Sequence, residues 1–236
     1  MPHPSGRPWI VAHRGASLVR RENTVEAFLE AARLGADAVE MDVRRTADGG
    51  LVVHHDHTIP GCDRPIVAMT RSEVAIMAPH VPDLIDALAA CEGMWVDLEI
   101  KNSPFEPDHD PDDLVLAGVL PLADGGVLIT SFNPVTVERA AAAGGCTGWL
   151  LPRGVDPLDA LTRWPGHEFV LPSVAAMGGV TASAVVESAT AAGVEVGVWT
   201  VDDPDEIRRL AACGVGMICT NAPDVARSAL DDHRYR

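Results

Sequence analysis

Short apolar runs alternate with stretches of helical spacing along almost the whole chain. The apolar runs predict strands at residues 9–12, 38–43, 94–100, 127–131, 147–151, 169–172, 194–200 and 216–220. The stretches between them predict helices at residues 24–34, 82–90, 113–121, 134–143, 156–164, 181–192, 204–213 and 224–230. Several helices are followed by glycine, as at Gly35 and Gly144, which is typical of a helix C-terminus. Strands that alternate with helices in this way indicate a parallel sheet buried under helices.

The number of strand–helix pairs decides between two architectures. Eight such pairs in 236 residues favour a (β/α)8 barrel, the TIM-barrel fold of the α/β class. The alternative is a doubly wound open sheet, which is expected to have a glycine-rich phosphate turn after its first strand. The segment Ala12-His13-Arg14-Gly15-Ala16 is not such a turn, so the barrel is the predicted fold.

One region interrupts the alternation. Residues 51–56 follow an Asp48-Gly49 turn and predict a hairpin after the second strand. Residues 59–79 have weak periodicity and predict a short insertion outside the barrel. Because no linker rich in proline, glycine or serine and no repeat occurs, we expect residues 1–236 to form a single domain.

Charge limits the classes of partner. Eighteen Lys+Arg against 34 Asp+Glu give a formal net charge of −16. Nucleic-acid binding needs a basic stripe along the phosphate backbone, and the sequence contains none, so nucleic acid is excluded as a partner. The same charge opposes docking on anionic membranes. No run of about 18 apolar residues occurs, so we expect no integral membrane segment.

The cysteines indicate the compartment. They are odd in number and include no Cys-x-x-Cys pair, which argues against a disulfide framework or a zinc site. Residues 1–8 lack the apolar stretch of a secretory signal. We therefore expect a cytoplasmic protein with reduced, buried thiols. The cysteines are Cys62, Cys91, Cys146, Cys213 and Cys219.

Carboxylates cluster in two neighbouring strands. Glu40 and Asp42 lie two residues apart, as do Asp97, Glu99 and Lys101, so each set points to one face of its strand. A strand inside a parallel barrel should be almost entirely apolar, and an inward carboxylate is costly unless a cation neutralises it. Glu40, Asp42 and Glu99 form an all-oxygen set that suits Mg²⁺ or Ca²⁺ better than zinc.

A structural ion network is the alternative for these carboxylates, with Arg14 and Lys101 as partners. Lys101 is nevertheless unusual, because it is the single lysine and the other 17 of the 18 basic residues are arginine. A compact ammonium can reach one oxygen in a narrow site where a guanidinium cannot. Its position two residues after Glu99 favours a phosphate contact.

Two histidines also follow predicted strands. His13 and His55 flank the carboxylate cluster, and histidine titrates near neutral pH, so the two suit acid–base chemistry. The acidic run at residues 106–113 lacks the glycine and terminal glutamate of an EF-hand. We expect it to be a solvated loop that caps the next helix.

An ordered set of segments gives the sequence its family resemblance. In the first half these are His13-Arg14-Gly15, Glu22-Asn23-Thr24, Glu40-x-Asp42-Val43, Val52-Val53-His54-His55-Asp56 and Leu98-Glu99-Ile100-Lys101. In the second half they are Ser131-Phe132-Asn133-Pro134, Val198-Trp199-Thr200-Val201 and Cys219-Thr220-Asn221-Ala222-Pro223. Together they cover nearly the whole chain and resemble the glycerophosphodiester phosphodiesterase family.

The resemblance implies a (β/α)8 barrel with a short insertion after the second strand. It also implies an enzyme that hydrolyses a small-molecule glycerophosphodiester to an alcohol and glycerol phosphate. The implied site consists of divalent-metal ligands (Glu40, Asp42, Glu99), an acid–base pair (His13, His55) and phosphate ligands (Arg14, Lys101). We expect Phe132 and Trp199 to line the pocket. The sequence departs from the family pattern at residues 57–61 and at Met217, away from these groups.

Other functions stay open at this point. A related barrel phosphodiesterase could act on a lysophospholipid, sphingomyelin or a phosphoinositide, and should then expose an apolar rim. A non-catalytic barrel that binds phosphodiesters is a candidate from a different class. A metal-dependent amidohydrolase is disfavoured, because its first strand usually offers His-x-His. Neither the role of each histidine nor the attacking group, water or a glycerol hydroxyl, follows from the sequence.

Overall fold

Parallel strands and helices alternate through the computed structural model, which describes residues 6–123, 125–163, 167–178 and 181–231. The strands are β1 (Trp9–Ala12), β2 (Ala38–Arg45), β3 (Leu51–Val53), β4 (Trp95–Ile100), β5 (Val127–Ser131), β6 (Cys146–Leu150), β7 (Phe169–Leu171), β8 (Glu195–Val198) and β9 (Met217–Thr220). The helices are α1 (Val25–Arg33), α2 (Arg71–Met77), α3 (Leu84–Ala90), α4 (Leu114–Val119), α5 (Pro134–Ala142), α6 (Pro157–Arg163), α7 (Thr181–Ala191), α8 (Pro204–Ala212) and α9 (Pro223–Asp231). Short 3-10 segments lie at Ile66–Ala68, Leu120–Leu122 and Val174–Met177.

Eight of these strands close into a parallel barrel. Around the barrel the order is β1, β9, β8, β7, β6, β5, β4, β2, and β2 returns to β1. Val11 pairs with Ala38 on one side and with Cys219 on the other, so β1 has a neighbour on both edges. The predicted (β/α)8 barrel is confirmed, and its closure brings the first and last strands together.

The insertion after β2 has its own small core. β3 pairs antiparallel with the end of β2, with Arg45 opposite Leu51, and Gly49 in the turn has φ of +83°. The following segment contains α2, whose N-terminus is closed by a capping box between Thr70 and Glu73. A separate apolar cluster lies beneath it, made of Val52, Ile59, Ile66, Met69, Val74, Ala78 and Val81.

At the amino-terminal end of the barrel, Asp37 accepts hydrogen bonds from three residues. This carboxylate accepts hydrogen bonds from the Arg7 guanidinium at 2.6 and 2.8 Å and from the Ile10 amide at 2.9 Å. Arg227 of α9 adds a contact at 3.1 Å. Burial opposes ionisation here, but the bonds from Arg7 and Ile10 outweigh it and lower the pKa of Asp37.

The cysteines are free thiols, and the expectation that all are buried is wrong for three of them. Cys91 and Cys219 are buried, whereas Cys62, Cys146 and Cys213 are partly exposed. Within the described ranges, none of the helices has the length and apolar character needed to cross a bilayer.

Candidate active site

The carboxylates of β2 and β4 meet inside the barrel because of the strand register. Glu40 lies beside Asp97, and Asp42 lies beside Glu99. Glu40, Asp42 and Glu99 are buried, and each offers an oxygen within 4.8 Å of the others. Three carboxylates at this separation repel one another strongly unless a positive charge lies between them.

Two cationic side chains supply part of the positive charge between the carboxylates. Lys101 Nζ lies 2.7 Å from Glu99 Oε1 and 3.4 Å from Asp42 Oδ1, and Arg14 Nε lies 3.3 Å from Asp42 Oδ2. The ion pairs of the alternative interpretation therefore exist. They leave Glu40 Oε1 and Asp42 Oδ1 buried without a hydrogen bond.

The pKa values of the carboxylates also show that the two cations neutralise this cluster only in part. Burial opposes ionisation of Asp42, but Lys101 and Arg14 lower its pKa to about 2. Burial and the charges of Asp42 and Glu99 raise the pKa of Glu40 well above its usual value. Burial raises the pKa of Asp97 to about 7, despite a hydrogen bond from Thr130. The cluster has more acidic groups than its two cations neutralise, and the free oxygens of Glu40 and Asp42 fit an added hard cation.

The loop after β1 closes over these carboxylates. Arg14 and Asn23 have positive φ, +57° and +56°, and the Asn23 amide donates to Arg14 O at 3.0 Å. The Arg14 amide donates to Glu40 Oε2 at 2.8 Å, and Asn23 Nδ2 donates to Asp42 Oδ2 at 2.6 Å. Gly15 is required here, because a Cβ at this position would lie 2.7 Å from the backbone of Ala27.

His13 lies at the end of β1 in a largely enclosed position. Its Nδ1 is 2.8 Å from Asn221 Oδ1, on the loop after β9. Burial, followed by the charge of Arg14, lowers the pKa of His13, although the bond to Asn221 acts in the opposite direction. The neutral ring is therefore the stable form at neutral pH.

His55 lines the same pocket in a more open position. Its Nδ1 is 2.7 Å from Asp56 Oδ1, and 35% of its side chain is exposed. The bond from His55 lowers the pKa of Asp56, so that carboxylate is ionised at neutral pH. The two histidines differ in their partners, since His13 has an amide oxygen and His55 has a carboxylate.

Arg44 holds the backbone of His55. Its Nε and Nη2 donate to His55 O at 2.9 and 2.6 Å, and its other contacts are Asp108 at 2.5 Å and Glu106 at 2.8 Å. The side chains of Arg44 and Asp108 are only 2% and 6% exposed. The loop after β4 therefore fixes the loop that contains His55.

The expectation of a solvated loop at residues 106–113 is right for its exposed residues 107, 109, 111 and 112 and wrong for its buried carboxylates. Asp110 and Asp113 are buried, and Asp113 accepts hydrogen bonds from Asn102 and Thr136. The capping part of the expectation is right, because Asp110 Oδ2 accepts from the Leu114 amide at the start of α4. Glu106 and Asp108 pair with Arg44 and Asp113 pairs with Arg139, and local composition does not reveal these distant partners.

One pocket unites most of the expected site residues. Phe132 and Trp199 form an edge-to-face pair, 5.4 Å between ring centres, and Trp199 Nε1 donates to Leu171 O at 2.7 Å. Asp42 lies just outside the lining, under Arg14 and Lys101. The lining residues are His13, Arg14, Glu40, His55, Asp97, Glu99, Lys101, Thr130, Phe132, Leu150, Leu171, Trp199 and Cys219.

Sequence reasoning missed several polar partners of the site. Asn23 and Asn221 belong to the recognised segments, but neither was assigned a contact. Arg44 lies two residues after Asp42 and therefore points to the same face of its strand as Glu40 and Asp42. An inward arginine needs an acidic partner, so the sequence could have indicated that Arg44 forms an ion pair.

Comparison with known proteins agrees with this geometry. Residues 13–225 match the model of the glycerophosphoryl diester phosphodiesterase family. A probable glycerophosphodiester phosphodiesterase of Mycobacterium tuberculosis is 31% identical, with 93% of this chain and 89% of that protein covered. The crystal structure of an Agrobacterium tumefaciens glycerophosphodiester phosphodiesterase has a TM-score of 0.75 at 27% identity, covering 94% and 99% of the two chains. The chain thus belongs to the glycerophosphoryl diester phosphodiesterase family.

Proposed function

We propose that this enzyme hydrolyses glycerophosphodiesters to an alcohol and glycerol phosphate with a divalent cation and two histidines. The observation that supports this most strongly is the pocket itself. It brings two cationic side chains and two histidines with different partners together with Glu40 and Glu99, and Asp42 completes the acidic triad just behind the lining. Family membership supports the substrate class.

Glu40, Asp42 and Glu99 would hold the cation, which is Mg²⁺ or Ca²⁺ given the all-oxygen donor set. When bound, it supplies positive charge to the phosphoryl oxygens. Arg14 and Lys101 bind the same phosphate group, Arg14 through directed hydrogen bonds and Lys101 as a compact charge. Attraction for the anionic substrate is therefore local, in a protein with a net charge of −16.

The surroundings of the two histidines support different roles in this proposal. His13 is neutral and enclosed, so it accepts the proton of the attacking oxygen. His55 lies in the more open part of the pocket with its Nδ1 beside the ionised Asp56, an arrangement that suits the group that donates a proton to the leaving alcohol. After the reaction His13 releases the proton it took up to solvent and His55 takes one up from solvent, which restores both rings for the next turnover.

A lysophospholipid is the second candidate substrate, because apolar side chains are exposed on two loops that follow barrel strands. Phe105, after β4, is 96% exposed, and Leu18 and Val19, after β1, are 69% and 54% exposed. Such residues could contact an acyl chain. If so, lysophosphatidylcholine should be the better substrate, and Phe105→Ser should weaken its turnover without affecting glycerophosphocholine.

The central test measures glycerol phosphate release from glycerophosphocholine, glycerophosphoethanolamine and glycerophosphoinositol. Activity should disappear after exhaustive chelation and return with Mg²⁺ or Ca²⁺. Calorimetric titration with either ion should show binding to the wild type. Glu99→Gln should weaken this binding more than Asp97→Asn, which is the matched control because Asp97 is a buried carboxylate outside the triad. Release that survives chelation would refute the metal role. A folded protein that binds these diesters without cleaving them would indicate a non-catalytic barrel.

A further inference from the structure

A hydrogen-bond network behind His13 extends to a carboxylate outside the pocket lining. Asp202 Oδ1 accepts from the Asn221 amide at 2.7 Å and from Thr220 Oγ1 at 3.0 Å. Asp202 Oδ2 accepts from Asn221 Nδ2 at 2.7 Å. Asn221 Oδ1 then faces His13 Nδ1 at 2.8 Å and Ser17 Oγ at 2.9 Å. The network joins the carboxyl ends of β8, β9 and β1, which are adjacent in the closed barrel.

The chemistry of these groups fixes the direction of each bond. An ionised carboxylate can only accept, so the amide NH₂ of Asn221 must face Asp202. The amide oxygen of Asn221 must then face His13 and can only accept from it. A neutral His13 therefore has its hydrogen on Nδ1 and a free lone pair on Nε2.

We propose that Asp202 is a positioning residue that acts through Asn221 to hold neutral His13 as the Nδ1–H tautomer, with Nε2 as the proton acceptor. This inference rests on the proposed role of His13 as the base. Asp202 is exposed and is absent from the pocket lining, so it influences the reaction only through Asn221. The other charged groups that act on His13 are Arg14, Glu22 and Asp42.

Asp202→Asn should reverse the direction of the hydrogen bonds between residue 202, Asn221 and His13. The new amide keeps its oxygen toward the Asn221 amide and Thr220, which are both donors, and so turns its NH₂ toward the Asn221 side chain. Asn221 then reverses, its NH₂ faces His13, and the His13 hydrogen moves to Nε2. The proton acceptor is lost, although the shape of the site is kept.

The experiment compares Asp202→Asn with Asp203→Asn. Asp203 caps α8 by accepting from the amides of Asp205 and Glu206, and asparagine caps a helix equally well. Asp203→Asn is therefore a control that removes the same negative charge from the neighbouring residue. Nitrogen NMR of the substrate-free protein above neutral pH reports the His13 tautomer, with the signals assigned by their loss in His13→Gln. We expect the Nδ1–H form in the wild type and in Asp203→Asn, and the Nε2–H form in Asp202→Asn. Turnover (kcat) of Asp202→Asn should fall at least about 10-fold with KM little changed, and by no more than the ~10²–10⁴ of a lost general base.

An exchange variant supplies the rescue. Asp202→Asn with Asn221→Asp moves the carboxylate next to His13, where it again accepts only from Nδ1–H. The tautomer and part of kcat should return, and the acidic limb of the kcat/KM profile should move to higher pH, because a carboxylate stabilises the imidazolium.

The outcomes separate this inference from the proposed function. An unchanged tautomer in Asp202→Asn, or a loss of kcat equal to that of Asp203→Asn, overturns the role of Asp202. If His13→Ala keeps wild-type turnover, the proposed base itself is wrong. If His13→Ala is inactive while Asp202→Asn keeps the wild-type tautomer and rate, only the positioning role fails.

Discussion

His13 and His55 occupy the same pocket but are held by different parts of the fold. His13 directly follows barrel strand β1 and is held by Asn221, which directly follows the neighbouring strand β9. His55 lies beyond the short outer strand and is fixed through its backbone by Arg44 and the acidic loop after β4. The first environment is enclosed and favours a neutral ring, whereas the second is open and contains a carboxylate. The proposed opposite roles of the two histidines rest on this difference in their surroundings.

The largest expected effect comes from removing each ring. His13→Ala and His55→Ala should each lower kcat by ~10²–10⁴ on a diester with an alkyl leaving group, because each removes one proton transfer. On a p-nitrophenyl diester, whose leaving group needs no acid, His55→Ala should recover most of its rate and His13→Ala should not. Steady-state rates on the two substrates measure the difference. The opposite recovery would exchange the roles, and near-wild-type rates for both variants would remove them.

Removing the support of His55 should have the next largest effect. Arg44→Met frees the His55 carbonyl and should lower kcat by about 10- to 100-fold, as is typical when an outer support of a reactive group is lost. The loss should shrink on the p-nitrophenyl diester, in parallel with His55→Ala. The variant also leaves Asp108 buried without its cation, so a lower Tm is expected.

Arg45→Gln is the matched control for Arg44, because the recorded contacts of the Arg45 side chain are Asp110 at 3.7 Å and Thr46 O at 3.4 Å, and neither involves His55. If both variants lose activity equally, or if the loss at Arg44 is the same for both leaving groups, Arg44 acts through general stability. Arg44 would then not be a specific support of His55, and the two histidines would not differ in the way described above.

The aromatic wall should matter less than either histidine. Trp199→Phe removes the hydrogen bond to Leu171 O and keeps a ring against Phe132. The lost bond amounts to about 0.5–1.5 kcal/mol, so we expect a change in KM of about 2- to 10-fold with kcat nearly unchanged. Michaelis–Menten kinetics on glycerophosphocholine test this. A selective loss of kcat would mean that the ring acts on the reacting groups.

The smallest effect on activity is expected at Asp37, at the opposite end of the barrel. Its pKa is lowered in the folded protein, so its stabilising effect is present above its ordinary pKa and is lost as the pH falls through the folded value. Asp37→Asn should therefore lower Tm at pH 7, by about 2–4 °C per kcal/mol lost, and the difference from wild type should shrink below about pH 4. Thermal unfolding across this range tests the sign, and kcat at pH 7 should be unchanged.

Local patterns predicted the fold well, because barrel strands and helices have distinct periods. The strand that begins at Trp9 has the predicted bounds, and the insertion was recognised from the loss of period. Alternation placed Glu40 and Asp42 on one face, and that face is the barrel interior. These inferences needed only the positions of neighbouring residues along the chain.

Contacts between distant segments were beyond such reasoning. The acidic run at residues 106–113 was read as solvated because its composition is polar, yet Arg44 and Asn102 bury part of it. The partner of His13 lies 208 residues further along the chain. Which strand ends face each other depends on barrel closure and register, and one sequence without structure does not specify these.

The closure of the barrel has a consequence for the timing of activity during synthesis. β1 emerges from the ribosome first, but its partner β9 and the adjoining Asn221 emerge near the end. The contact between His13 and Asn221 can form only after β9 has docked beside β1. If His13 is the base, as we propose, a nascent chain that has not yet closed its barrel lacks the contact that holds this base in place.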